Sequence, residues 1–178
     1  RACGAAPLDT RAKLLTRVAD ILEAKSNQRG RLMTLEMGKP LRAGIDEALK
    51  CARGCRYYAD HGASFLADEH VPTGARSSYI RYEPLGAVLA VMPWNFPFWQ
   101  VFRFAAPALM AGNVALLKHA SNVPQAAAAF ERLLLEAGAP EGAYTNLYAT
   151  KDQLSTLIDD PRVRGVALTG SEAAGAIV

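Results

Sequence analysis

Apolar positions in the first 68 residues recur at the three-and-four spacing of a helical face. Leu14, Leu15, Val18, Ile21 and Leu22 form one stripe, with Asp9 as the expected N-cap. A further helix is expected over 31–37, closed by Gly38 and by Pro40 just beyond it. Leu41, Ile45, Leu49, Ala52, Cys55, Ala59 and Phe65 then mark a long amphipathic helix. The period changes between 71 and 83. There Pro72 and Gly74 precede Ser78-Tyr79-Ile80-Arg81-Tyr82, which alternates like an exposed strand pair.

From Gly86 onward, short apolar runs alternate with helical patterns. Strands are expected over 87–92, 114–117, 144–149 and 165–168, and helices over 98–110, 124–137 and 152–158. That alternation predicts an α/β fold: a Rossmann-like parallel sheet with flanking helices on both faces. N-terminal helices and a short β arm precede it, so the chain divides into 1–70, 71–85 and 86–178. Ligands of such sheets sit at the carboxyl ends of the strands, which directs attention to the strand-to-helix junctions.

Composition narrows the function classes. With 51% hydrophobic and 21% charged residues, the chain is ordinary for a globular domain. Its net charge is only +3 with Arg and Lys scattered among acids, which gives no footprint for nucleic acid. The longest apolar stretch, 101–117, is interrupted by Arg103, Pro107, Gly112 and Asn113, so it is not read as a membrane span. No secretory signal opens the chain. Three cysteines without a framework of spacings suggest a reducing, cytoplasmic setting. Cys51 and Cys55 have no third or fourth ligand nearby, so no metal site is expected, and packing is their expected role. Cys3 is no better a nucleophile. Because Arg1 opens the chain and Val178 closes it as a new helix begins, a piece of a longer protein is expected.

Three junctions carry residues suited to chemistry. In Met92-Pro93-Trp94-Asn95-Phe96-Pro97-Phe98-Trp99, the two prolines restrict the turn and place the Asn95 amide at the mouth of the sheet. A side-chain N–H there can donate to a developing oxyanion; the alternative is that Asn95 caps the helix. Phe96, Trp99 and Arg103 fall at i, i+3 and i+7 of a helix drawn from Asn95, either as a channel-lining stripe or as core with a snorkelling arginine. Lys118 at the second junction can reach a ribose or phosphate, or be an ordinary surface lysine. Its neighbour His119 has no partner in the sequence and is read as structural. At the third junction, Gly170-Ser171 opens a helix whose N–H groups can face an anion, though the same pattern makes a simple capped turn.

The residues Pro93-Trp94-Asn95-Phe96-Pro97, Pro107-Ala108-Leu109, Gly112-Asn113 and Lys118 together resemble the aldehyde dehydrogenase superfamily. Leu35-Glu36-Met37-Gly38-Lys39-Pro40 and Tyr82-Glu83-Pro84-Leu85-Gly86 are similar as well, so the resemblance spans nearly the whole chain. It implies that Asn95 forms half of an oxyanion hole. Met92, Pro93, Trp94, Lys118, Ser121, Gly170 and Ser171 are implied to line the cofactor site, with Lys118 at the adenosine ribose and Ser171 at the diphosphate. Where NAD-preferring members place an acid, this chain has Ser121, which leaves room and charge for a 2′-phosphate; NADP is favoured and NAD permitted. One departure is the absence of a glycine in Tyr148-Ala149-Thr150-Lys151.

Arg103 lies eight residues after Asn95, the spacing of the arginine that grips the distal carboxylate in the succinate-semialdehyde dehydrogenase branch. The implied substrate site is then Phe96, Trp99 and Arg103. The implied reaction is NAD(P)-dependent oxidation of succinate semialdehyde to succinate through a cysteine thiohemiacetal. The family's nucleophilic cysteine and glutamate base fall outside this segment, which by itself is expected to be inactive. Its β arm pairs subunits, so a homo-oligomer (dimer or tetramer) is implied for the whole protein. Alternatives are another aldehyde range, an acylating enzyme that uses coenzyme A, and a catalytically silent nucleotide-binding or assembly module.

Overall fold

The computed structural model describes residues 6–177; Cys3 lies outside them. Three helices come first: α1 (Leu8–Ala24), α2 (Ser26–Met37) and α3 (Leu41–Phe65). Pro7, not Asp9, is the N-cap of α1: its carbonyl accepts from the Thr10 and Arg11 N–H groups. Asp9 sits inside the first turn, paired with Lys13. Leu14, Leu15, Val18 and Leu22 are buried as the pattern predicts. α2 is one and a half turns longer than expected and ends at Gly38, whose φ of 73° is the left-handed conformation that glycine adopts without cost.

The buried face of α3 is rotated from the predicted one. It runs through Gly44, Glu47, Ala48, Cys51, Ala52, Cys55 and Gly62, while Leu41 and Phe65 are exposed. The contact between α2 and α3 explains the rotation. A Cβ on Gly44 would meet the Gly30 Cα at 2.9 Å, so the two backbones touch where both residues lack side chains.

Strands β1 (Glu69–His70) and β2 (Tyr79–Ile80) pair antiparallel as an exposed ribbon; β1 lies before the 71–83 stretch in which the strand pair is expected. The rest is β3 (Ala87–Met92), α4 (Trp99–Met110), β4 (Val114–His119), α5 (Pro124–Glu136), β5 (Tyr144–Asn146), α6 (Lys151–Asp159), β6 (Val163–Leu168) and α7 (Glu172–Ile177). The four long-range strands form a parallel sheet in the order β5-β4-β3-β6. β5 is half its predicted length. After Asn146 the chain leaves the ladder so that Thr150 can cap α6, in a reciprocal capping box with Gln153.

β3, β4 and β5 step in one direction, whereas β6 returns to the far side of β3. Right-handed crossovers then put α4 and α5 on one face and α6 on the other. The α4/α5 face is a closed core that includes Ala90, Met92, Leu117, Phe98, Phe102 and Phe130. The opposite face is not fully covered, contrary to expectation: β6 has no fully buried residue, and Val166 is exposed.

Neither α4 nor α5 has a local side-chain cap, an acid in its first turn or a base in its last. Their ends are satisfied from the N-terminal helices instead. The Glu47 carboxylate accepts from the Phe98 and Trp99 N–H groups, each at 2.9 Å, and Glu36 accepts from Gln125 and Ala126. Arg11 donates to the Met110 carbonyl at 2.8 Å and Arg17 to that of Ala137 at 2.6 Å. Acids at N-termini and arginines at C-termini match both the orphan backbone groups and the helix dipoles. At the other close contact, Gly44→Ala should force two backbones apart. We expect a loss of about 1–3 kcal/mol in unfolding free energy, measured by urea denaturation.

Candidate functional site

A topological switch point, where connections leave adjacent strands toward opposite faces, is where open parallel sheets bind ligands. Here it lies between β3 and β6. A cleft of about 250 Å³ opens there, lined by Pro93, Trp94 and Asn95 after β3, Gln100 of α4, and Thr169, Gly170 and Ser171 after β6. The structure thus brings the first and third predicted junctions together. Thr169 N–H donates to the Val91 carbonyl at 3.0 Å, which extends the pairing of the two strands to the cleft floor.

The turn that carries Asn95 is held at nearly every residue. Lys39 and Glu47 form a buried ion pair, with side chains 8% and 2% exposed. The Lys39 ammonium donates to the Asn95 carbonyl at 3.0 Å and lies 3.8 Å from the centre of the Phe96 ring. Asn95 Oδ1 accepts from the Phe96 N–H at 3.0 Å. His119 bonds the Pro97 carbonyl at 3.0 Å, and Glu47 takes the next two amides. The helix itself starts at Trp99, so Asn95 and Phe96 precede it and the stripe drawn through them is not one helical face. Since Glu47 caps α4, Asn95 does not. Its Nδ2 has no hydrogen-bond partner among the described residues, and the residue is exposed at the cleft.

Trp99 packs against α3, where a Cβ on Gly54 would lie 3.4 Å from its ring and the Lys50 ammonium sits 3.9 Å from the ring centre. Arg103 reaches across the switch point to the Thr169 hydroxyl at 3.2 Å and stays exposed. Phe96 is also exposed. Ser171 Oγ accepts from the Ala174 N–H at 3.2 Å, which fixes the turn into α7.

The second junction is a separate cleft of about 270 Å³ beside β4 and β5, lined by residues that include His119, Ser121, Pro124, Asn146 and Tyr148. None of its lining residues is acidic. Strand alternation turns Lys118 and His119 to opposite faces. His119 joins Met92 on the core side; Lys118 joins Val91 on the other. His119 Nε2 donates to Pro97, and Nδ1 accepts the Ala120 N–H at 2.8 Å, which defines a neutral ring. Burial holds its pKa below the ordinary 6.5.

Two residues at the site were not singled out by sequence reasoning. Glu47 had a signal available: an acid on the apolar face of α3, three and four residues from Gly44 and Cys51. Lys39 sat in a recognised motif without a role. Neither Cys51 nor Cys55 is suited to attack: both are buried, and burial raises the Cys55 thiol to about 12 and Cys51 well above 9.0.

A parallel α/β sheet with its cleft at the switch point defines a Rossmann-like, nucleotide-binding class of fold. The model of the aldehyde dehydrogenase family matches residues 1–178. Over 170 residues the chain is 56% identical to a probable succinate-semialdehyde dehydrogenase (NADP(+)) of Synechocystis sp., covering 96% of this chain and 37% of that protein. It is 54% identical over 171 residues to succinate-semialdehyde dehydrogenase (NADP(+)) of Mycobacterium leprae, covering 94% and 37%. The crystal structure of succinic semialdehyde dehydrogenase from Streptococcus pyogenes, in complex with NADP+, matches with a TM-score of 0.93 and 43% identity over 96% of this chain and 37% of that one. The chain belongs to the aldehyde dehydrogenase family, and it spans about 37% of the length of these relatives.

The buried neutral His119 makes stability depend on pH with a definite sign. Its folded pKa lies below the unfolded value, so its contribution is complete above about pH 6.5 and is lost as pH falls from there through the folded pKa. His119→Gln, which keeps a donor for Pro97, should flatten the acid side of the stability profile. Urea midpoints taken between about pH 7.5 and about pH 5 check this; an unchanged slope would place the proton on another group.

Proposed function

We propose that the whole protein oxidises succinate semialdehyde to succinate with NADP, and that this segment supplies the cofactor site, one oxyanion donor and the substrate-carboxylate grip. The observation that carries the reading is the free Asn95 Nδ2 on a clamped turn at the switch-point cleft, facing Gly170 and Ser171. A preorganised donor of this kind stabilises charge that develops on a carbonyl oxygen without reorganising at the moment of reaction. Pro93 and Trp94 form the cleft wall, while Gly170 and Ser171 take the diphosphate side; Met92, expected at the cofactor site, is instead buried in the core.

The second cleft fits a 2′-phosphorylated dinucleotide through its donor set. The Ser121 hydroxyl lines the cleft and can meet a phosphate, no carboxylate lines it to repel one, and Lys118 at the end of β4, outside the lining, is assigned to the adenosine ribose. NADP, when bound, supplies the hydride acceptor. Arg103 is the substrate-side cation: exposed, anchored on Thr169, and able to pair bidentately with a distal carboxylate. Phe96 and Trp99 are assigned to the apolar side of the substrate site, although neither lines the cleft. The nucleophilic cysteine and the base are assigned, as the family resemblance implies, to the part of the protein outside these residues; burial raises the thiol pKa of Cys51 and Cys55, which is consistent with that assignment. The exposed β1–β2 ribbon, with Tyr79, Ile80 and Tyr82 at its surface, is the subunit-pairing arm of a cytoplasmic homo-oligomer.

Steady-state kinetics on the full-length protein test each assignment. Asn95→Ala should lower kcat by about 10²–10³. Ser121→Glu should raise KM for NADP about tenfold or more while sparing NAD, since a carboxylate beside a phosphate is repelled. Arg103→Ala should raise KM for succinate semialdehyde about 10–100-fold, the worth of a charge-assisted pair, and leave a short neutral aldehyde within about threefold. Equal losses on both aldehydes would remove the carboxylate grip.

A further inference from the structure

The turn that carries Asn95 is held by His119 from within the nucleotide-binding unit and, from outside it, by Lys39 and Glu47. Lys39 is itself immobilised: Gly38 before it has φ 73°, and Pro40 after it has φ −53° and restricts its neighbour. Its ammonium is buried with three contacts, to the Glu47 carboxylate, the Asn95 carbonyl and the face of Phe96. Glu47 holds Lys39 with one oxygen and the two α4 amides with the other.

We propose that the buried Lys39–Glu47 pair is a positioning device that aims the Asn95 amide donor, an inference that rests on reading Asn95 as the oxyanion donor. The mechanical chain is continuous. Lys39 fixes the oxygen of the Asn95–Phe96 peptide, and the N–H at the other end of that same peptide holds Asn95 Oδ1. With the peptide plane and Oδ1 both fixed, the direction of Nδ2 is set. A cap for α4 needs Glu47 alone, so the contact of Lys39 with the Asn95 carbonyl goes beyond what the helix requires. Lys39 and Glu47 act through Asn95 and touch no reacting atom.

Lys39→Met alone strands a carboxylate in the core, so the informative variant is the pair Lys39→Met/Glu47→Gln. The glutamine oxygen still accepts from Phe98 and Trp99, no charge is left buried, and the tether on the Asn95 carbonyl is lost together with the cation contact on the Phe96 ring. In the full-length protein this variant should unfold cooperatively within about 5 °C of the parent and bind NADP within about twofold. Its kcat should fall by about 10–100-fold with little change in aldehyde KM, the signature of a displaced group that acts in the transition state. Adding Asn95→Ala to the pair should bring kcat no more than about threefold below Asn95→Ala by itself, because both act through one donor. The proposal is overturned if the paired variant keeps wild-type kcat, if the losses multiply, or if the variant fails to fold, which would make the pair a fold-holding element. An unchanged kcat in Asn95→Ala alone would instead remove the oxyanion reading beneath it.

Discussion

Four charged side chains from the N-terminal helices hold both ends of both helices on the closed face of the sheet. Glu47 and Arg11 bracket α4, and Glu36 and Arg17 bracket α5. Without them, the first amides and last carbonyls of α4 and α5 would be left without these protein partners, and an unsatisfied buried backbone group costs about 1–3 kcal/mol. The helical region and the nucleotide-binding sheet are therefore one energetic unit, although their periodicities separate them cleanly in the sequence. The core agrees: Leu15, Val18 and Leu22 of α1 share one cluster with Phe102 of α4 and Phe130 of α5.

Element existence and order were legible because each depends on local pattern. Runs such as Ala87–Met92 and the glycines that follow helices, Gly38 and Gly138, act over a few residues, and both glycines have the positive φ that their positions imply. What was not legible depends on distance. The caps of α4 and α5 come from residues 51 to 120 positions away, so no window on either helix contains them. The rotation of α3 is set by the Gly30–Gly44 contact with another helix, which hydrophobic spacing alone does not encode. The early end of β5 was decided by competition: Thr150 and Gln153 offer the backbone a helix start that outweighs three more ladder residues.

The candidate site follows the same division. Residues placed by motif, Asn95, Lys118, Ser121, Gly170 and Ser171, fall at the ends of β3, β4 and β6 or in the turns that follow them. The structure adds what constrains them. Asn95 was open to two readings, donor or cap, and the cap is taken by Glu47, a residue 48 positions upstream whose carboxylate occupies the first amides of α4. Lys118 and His119 are adjacent yet face opposite sides of the sheet, and His119 ties β4 to the Asn95 turn through Pro97.

The cost of that arrangement bears on its purpose. Burying an ammonium and a carboxylate together is a weak way to stabilise a fold, because desolvation consumes most of the attraction and apolar replacements are often as stable or more so. Removing one partner from such a pair, by contrast, costs about 3–5 kcal/mol. A pair of this kind gives little net stability but strict geometry, since neither charge can move without exposing the other. In this chain the geometry is spent on one turn: the Asn95 carbonyl, the Phe96 ring, and the Phe98 and Trp99 amides are all fixed by Lys39 and Glu47. Packing could have closed the space between α3 and α4 without charge. Only directional groups could also fix the plane of the Asn95–Phe96 peptide, and with it the direction of the amide that faces the cleft.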